Sequence, residues 1–142
     1  MKLKTRDIVY IGFIAALCAV ATTIRIEIPG GAMVHLGSAA LFTSSILFGG
    51  LYGGLGAAIG SALFDLFGGH TQYIVFSFFI KGIAGLIVGG MTAGYLPPSI
   101  TKPTASFTRI LIALIIGTIW TAFGYFLAWW FVLESAAVAA SK

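Results

Sequence analysis

Five apolar segments, separated by short polar or glycine-rich stretches, make up most of this sequence of 142 residues. They are Ile8–Ile24, His35–Phe48, Leu51–Phe67, Tyr73–Tyr95 and Arg109–Leu133. A helix needs about 20 apolar residues to cross ~30 Å of hydrocarbon, so the second segment, with roughly 14 residues, is too short to span alone. The pattern predicts an all-α integral membrane protein, a polytopic helical bundle with five transmembrane helices in a single membrane domain covering residues 1–142.

The polar stretches between the segments predict the topology. We expect Ile28–Val34 to form a loop, broken by Pro29-Gly30-Gly31, and Gly68–Gln72 to form a turn. Lysine and arginine are enriched in cytoplasmic loops, which favours a cytoplasmic N-terminus here. That orientation places Lys2, Lys4, Arg6, Lys102 and Arg109 inside, against Arg25 and Lys142 outside. The loop Arg25–Val34 and the turn Gly68–Gln72 then share the outer face.

Composition supports insertion in the lipid bilayer and excludes several classes of function. Hydrophobic residues make up 59% of the chain and charged residues 8%, whereas a soluble domain carries about a quarter charged residues. The basic residues flank apolar segments without forming a run, so no nucleic-acid partner is expected. Cys18 is the only cysteine, which excludes an internal disulfide and a cysteine-based metal cluster. The first segment could be misread as a secretory signal peptide, but we expect it to stay as a helix because the downstream segments are membrane-embedded too.

Four isolated ionisable side chains stand out in the apolar stretch Pro29–Lys81: His35, Asp65, His70 and Lys81. A charge inside the membrane costs at least ~2.5–3.5 kcal/mol on insertion scales, so it normally faces a partner, a cavity or a ligand. Lys81 lies about 12 Å from the start of its segment, too far for comfortable snorkelling. It either forms a buried pair, with Asp65 or Glu134, or lies beside a substrate cavity.

The other three ionisable residues have simpler readings as well. Asp65 is near the outer end of its segment and could meet interfacial water. His35 could hydrogen-bond the preceding loop, and His70 could be a solvated turn residue. The alternative is that all three present polar groups to a ligand held beneath the outer loop.

No catalytic constellation is present in the sequence. It contains no Ser-His-Asp pattern, no Walker A loop and no cluster of histidines and carboxylates with metal-ligand spacing. We therefore expect no enzymatic activity and no cofactor, with any energy source supplied by a partner or a gradient. Small residues do recur at a spacing of four, which permits close helix packing in lipid, and packing within the chain is the default explanation. These pairs are Ala15/Ala19, Gly50/Gly54, Gly56/Gly60, Gly85/Gly89 and Gly90/Gly94.

Taken together, these motifs resemble the substrate-binding S components of energy-coupling-factor (ECF) vitamin transporters. The resemblance covers Ile11–Gly94 well and the remainder loosely, and it is closest to the branch for hydroxymethylpyrimidine, a thiamine precursor, and pyridoxine-type substrates. The motifs are Ala15-x-x-x-Ala19, Val34-His35-Leu36-Gly37, the run Ile46–Gly54, the run Gly60–Leu66, and Phe78-Phe79-Ile80-Lys81-Gly82.

This resemblance implies a vitamin pocket open to the outside, capped by the loop after the first helix. It also implies docking through Ala15 and Ala19 onto a membrane coupling subunit that is driven by two cytoplasmic ATPase subunits. The residues expected near the pocket are His35, Asp65, His70, Gln72, Tyr73 and Lys81. The family has six helices and this sequence predicts five, so the chain is either truncated or naturally reduced.

Two functions from other classes stay open at this point. The chain could be a small oligomeric transporter or channel with Lys81 in its pathway. It could also be a membrane scaffold in which the small-residue pairs serve only for assembly.

Overall fold

The computed structural model describes residues 4–29, 32–92 and 106–141, without the side chains of residues 27, 28 and 32–35. The elements are helix α1 (Thr5–Thr23), strands β1 (Arg25–Ile28) and β2 (Ala32–His35), and helices α2 (Gly37–Phe48), α3 (Gly50–Phe67), α4 (Ile74–Thr92) and α5 (Phe107–Ala140). A short 3-10 turn, Thr71–Tyr73, precedes α4. Four of the described helices are long and apolar enough to cross a membrane, and the exception is α2. The prediction of an α-helical membrane bundle with a short second helix is confirmed.

Helix α3 is at the centre of the bundle and packs against α1, α2 and α4, while α5 packs along α4. Glycines line the contact between α3 and α4, so the backbones of the two helices are in direct contact; we call this contact the glycine seam. A Cβ added at Gly85 would lie 2.5 Å from Gly54 Cα, and one added at Gly89 would meet the backbone of Gly50. Two of the predicted small-residue pairs therefore serve packing within the chain.

The α1–α3 contact is also made at glycines of α3, but these glycines face larger side chains on α1. A Cβ added at Gly56 would lie 2.6 Å from Ile14 Cβ, and one added at Gly60 would lie 3.0 Å from Cys18 Cβ. Ile14 and Cys18 are fully buried and belong to the hydrophobic core of the described chain. The glycines of α3 thus let α1 approach closely enough to bury one of its faces.

Glycine also sets the breaks between helices at two positions. Gly49 (φ +91°) separates α2 from α3, and Gly69 (φ +81°) lies in the turn after α3. Positive φ values strain residues that carry a Cβ, so glycine allows these tight reversals without a long loop.

The structure corrects the predicted loop between the first two segments. β1 and β2 pair antiparallel, with Arg25 opposite His35 and Ile26 opposite Val34. β-Branched and other apolar residues at these positions favour extended backbone and outweigh the loop pattern of the proline and glycines. His35 ends β2, so α2 begins later than expected, at Gly37. The predicted turn residues Gly30 and Gly31 lie outside the described chain.

Helix α5 is longer at both ends than the predicted segment Arg109–Leu133. At its start the Ser106 hydroxyl accepts a hydrogen bond from the Arg109 N–H (3.4 Å) and caps the helix. At its end the helix continues to Ala140 because the added residues, mostly alanine, are strong helix formers although less apolar. The predicted fourth segment reaches residue 95, and its last part, residues 93–95, lies outside the described chain.

Candidate functional site

Lys81 lies in the middle of the bundle and is buried, with 3% of its surface exposed. Its Nζ donates a hydrogen bond to the Ser38 hydroxyl at 2.7 Å, across from α4 to the first turn of α2. Nζ also lies 5.5 Å from the centroid of the Tyr125 ring on α5, within range of a cation–π contact. Lys81 therefore joins three helices through polar and aromatic contacts.

Lys81 makes no ion pair with a carboxylate among the described residues. Glu134 is exposed near the end of α5, and Asp65 interacts with Lys81 only electrostatically, without salt-bridge contact. Of the two alternatives for Lys81, the buried pair with a carboxylate is thus not found among the described residues, and the ammonium group bonds the Ser38 hydroxyl of α2 instead. A buried ammonium carries three donors, and the described chain supplies one hydrogen-bond acceptor.

A second part of the network links α3, α4 and α5 towards the turn after α3. The Tyr125 hydroxyl donates to the Ser77 hydroxyl at 2.9 Å, and Ser77 also interacts with the Asp65 carboxylate. Asp65 is half-buried, and its Oδ2 is buried without a hydrogen-bond partner. Polar groups thus continue from Lys81 through Tyr125 and Ser77 to Asp65.

His70 extends this line of polar groups to the turn itself. Its backbone N–H donates to the Asp65 carbonyl oxygen at 2.9 Å, and its ring stacks on Phe64 with centroids 6.3 Å apart. Its Nδ1 is buried and has no hydrogen-bond partner. The guanidinium carbon of Arg25 lies 5.8 Å from the Phe64 ring centroid, which ties β1 to the same end of α3.

The remaining predicted pocket residues have less defined positions. Gln72 is exposed in the 3-10 turn, and Tyr73 is half-buried at its end. The backbone of His35 pairs with Arg25, but the His35 side chain lies outside the described part. The structure thus brings Asp65, His70 and Lys81 into one line of polar groups, with Gln72 and Tyr73 at its margin and the His35 side chain outside the described part.

The two predicted docking residues are placed differently from each other. Ala15 is 4% exposed, and its carbonyl faces Gly60 of α3, so its small side chain serves packing within the chain. Ala19 is half-buried. The face of α1 that points away from the bundle carries Gly12, where an added Cβ would meet nothing within 4 Å, and the exposed Ala16.

Sequence reasoning missed Ser38 and Ser77. Serine is common in membrane helices and usually bonds its own backbone, so neither position is conspicuous. The available signal is spacing, because Ser77 and Lys81 are four residues apart and share one face of α4.

A cleft of about 650 Å³ elsewhere on the described chain does not compete with this network. Its lining comes from one helix, α5, through Phe131, Glu134, Ser135, Val138 and Ala139. It has no convergent set of polar groups from several elements, which is what a ligand site requires.

A helical membrane bundle that buries polar groups without full hydrogen-bond partners has the features of a small polytopic binding or transport protein. The sequence matches the family "ECF-type riboflavin transporter, S component" over residues 2–142, and the chain belongs to that family. A Pyrococcus woesei relative, called "Uncharacterized protein in gap 3'region", is 32% identical over 111 residues. That alignment covers 78% of this chain and 68% of the relative.

Membership gives the role at a coarse level. The chain is the substrate-binding subunit of an ECF transporter, a multi-pass membrane protein that is not an enzyme. S components bind a vitamin and work with a membrane coupling subunit and ATPases.

Proposed function

We propose that this chain captures a vitamin precursor with a single nitrogen heterocycle, hydroxymethylpyrimidine or a close relative, from the outer side of the membrane. The observation that carries the proposal is Lys81, a buried ammonium group with a hydroxyl partner and no carboxylate partner within the described bundle. A ring nitrogen or hydroxyl oxygen of the ligand supplies a further acceptor for Nζ. The N-terminus is cytoplasmic in this proposal.

The shape of the polar network supports a small planar ligand. The Tyr125 ring lies beside Lys81, and an aromatic face can stack on a heterocycle while a few polar groups fix its orientation. Asp65, near the end of α3, and His70, in the turn after it, present further polar atoms to the ligand. In this proposal His35, Gln72 and Tyr73 form the entrance.

Riboflavin is the second candidate ligand, because the family that matches the whole chain is described as a riboflavin transporter component. Its three-ring system needs more room than a pyrimidine. The pairs Lys81–Ser38 (2.7 Å) and Tyr125–Ser77 (2.9 Å) lie close together, with Lys81 Nζ 5.5 Å from the Tyr125 ring centroid, and this compact grouping suits the single ring better.

The deciding experiment is mass spectrometry of ligand extracted from protein purified in mild detergent. It is followed by binding titrations with hydroxymethylpyrimidine, pyridoxine and riboflavin. Recovery or tight binding of hydroxymethylpyrimidine supports the proposal. Recovery of riboflavin, which is recognised by its visible absorbance, would mean that riboflavin is the ligand, while the proposal of vitamin capture would stand. Failure of all three to bind the purified protein contradicts vitamin capture by the chain alone.

Lys81→Met tests whether the buried ammonium group contacts the ligand. Loss of one hydrogen bond to a charged donor costs about 1.5–3 kcal/mol, so the affinity should fall roughly tenfold to a hundredfold. The matched control is Lys4→Met at an exposed lysine, which should keep full affinity. Unchanged binding and unchanged yield for Lys81→Met would remove Lys81 from the site.

The competing function, an oligomeric transporter or channel with Lys81 in its pathway, makes a separate prediction. The purified chain in liposomes would then conduct ions or move solute without other subunits. We expect no flux, because vitamin release depends on the coupling subunit and ATPases in our proposal.

We also propose that α1 contributes the docking surface for the coupling subunit, with Ala19 at its edge and Ala15 supporting it from inside. The outward face beside them carries Gly12 and Ala16, so a partner helix can approach closely there. Ala16→Trp should reduce co-purification of the coupling subunit while ligand binding by the isolated chain stays unchanged. Full retention of the coupling subunit would contradict this surface.

A further inference from the structure

Two buried polar atoms at the turn after α3 have no hydrogen-bond partner: Asp65 Oδ2 and His70 Nδ1. Leaving such a group unpaired away from water costs roughly 1–3 kcal/mol, more if it is charged. Both residues belong to the same turn, because the His70 backbone N–H is bonded to the Asp65 carbonyl oxygen at 2.9 Å. Asp65 and His70 also interact electrostatically.

The surrounding contacts hold both side chains in position. The His70 ring lies against Phe64, with an interplanar angle of 14°, and its backbone N–H is bonded to the Asp65 carbonyl oxygen. A Cβ at Gly68 would lie 3.2 Å from His70 Nδ1, so the bare glycine is what lets the ring lie against this turn. Ser77 of α4 also interacts with the Asp65 carboxylate.

The chemistry of the two atoms selects a particular kind of ligand edge. An ionised carboxylate only accepts hydrogen bonds, whereas a histidine with its proton on Nδ1 donates from that atom. An aminopyrimidine presents the complementary pair, an exocyclic amino N–H beside a ring nitrogen that accepts. We propose that Asp65 Oδ2 and His70 Nδ1 form a subsite for this edge, with the amino group on Asp65 and the adjacent ring nitrogen on His70.

This subsite deepens the proposed function and rests on it, because it sets the orientation of the bound ring. The amino edge faces the turn after α3, and the opposite side of the ring faces Lys81. Ser77 and Tyr125 connect the two ends through a hydrogen bond of 2.9 Å. The ligand class that follows is a 4-aminopyrimidine with an acceptor group opposite its amino edge.

The test compares two probes on the full-length protein in detergent: hydroxymethylpyrimidine and its analogue in which a methyl group replaces the 4-amino group. Loss of a hydrogen bond to a charged acceptor should weaken the analogue roughly tenfold to a hundredfold. Equal affinity for the two probes overturns the subsite while vitamin capture stands.

Asp65→Ala, measured with the same two probes, completes a double-mutant cycle between the amino group of the ligand and the Asp65 carboxylate. The two probes should bind this variant within about twofold of each other, because the partner of the amino group has been removed. Glu134→Ala removes an exposed carboxylate and should keep the full difference between the probes. A preserved difference in Asp65→Ala overturns the assignment of the amino group to Asp65.

Two outcomes separate this inference from the proposed function. Tight binding of riboflavin without hydroxymethylpyrimidine overturns the aminopyrimidine subsite but not vitamin capture. Failure of riboflavin, pyridoxine and hydroxymethylpyrimidine alike overturns both. If Asp65→Ala does not fold, the comparison of the two probes on the unmodified protein decides alone.

Discussion

Gly85→Ala tests whether the α3–α4 glycine seam is a close-packed contact that stabilises the bundle. The added Cβ would lie 2.5 Å from Gly54 Cα and 2.8 Å from Gly54 N, both backbone atoms that cannot rotate away. Ordinary van der Waals contact begins at 3.4 Å, so the two helices would have to separate by about 0.9 Å at this point.

The magnitude follows from the cost of overpacking, typically about 1–3 kcal/mol. The intrinsic preference of alanine over glycine in a helix offsets about 1 kcal/mol of this. Gly12→Ala on α1 isolates that propensity gain, because its Cβ would meet nothing within 4 Å. We therefore expect Gly85→Ala to be less stable than Gly12→Ala by about 1–3 kcal/mol.

The assay is reversible unfolding of the detergent-solubilised protein, followed by circular dichroism for the parent chain and both variants. Gly85→Ala should unfold at lower denaturant than the parent, and Gly12→Ala at the same or higher denaturant. If Gly85→Ala is as stable as Gly12→Ala, the backbone contact in the seam is not tight and the reasoning fails.

Two further predictions concern single hydrogen bonds between elements. Tyr52→Phe removes the bond that the Tyr52 hydroxyl donates to the Asp7 carboxylate at the start of α1, and it should lower the free energy of unfolding because this bond joins α1 to α3. The same denaturation assay measures it, and no change would mean that water replaces the tyrosine. Trp120→Phe removes the bond from the indole N–H to the Ile80 carbonyl oxygen, 3.1 Å long, and should cost about 0.5–1.5 kcal/mol plus lost packing. Proteolysis that releases α5 sooner in this variant would confirm that Trp120 attaches α5 to α4, and unchanged protection would refute it.

The helices could be predicted from the sequence because their apolar runs match the thickness of the bilayer. Lys81 could be singled out for the same reason, since one charge inside such a run is costly. Its burial in the structure agrees with that reasoning. These features depend on residues near one another in the chain, which is the information that a single sequence carries directly.

The hairpin and the partners of Lys81 could not be predicted in this way. The pairing of Arg25 with His35 depends on two short strands of four residues each, too short for a clear alternating pattern. The choice of Ser38 over a carboxylate depends on where α2 crosses α4, which no local pattern encodes. Hydropathy alone also ended α5 too early, because alanines extend a helix without adding much apolar character.

The length of α5 has a consequence for the depth of Lys81 in the membrane. This helix has 34 residues and is about 51 Å long, well beyond the ~30 Å of hydrocarbon. Twenty residues separate Arg109 from Trp129, the distance needed for a basic residue and an aromatic residue to mark the two membrane boundaries. If these two residues mark the boundaries, Tyr125 lies about 6 Å along α5 from Trp129, and Lys81 lies beside it. An ammonium group at that level costs less than one at the bilayer centre, so the ligand-binding role that we propose for Lys81 does not require a carboxylate partner.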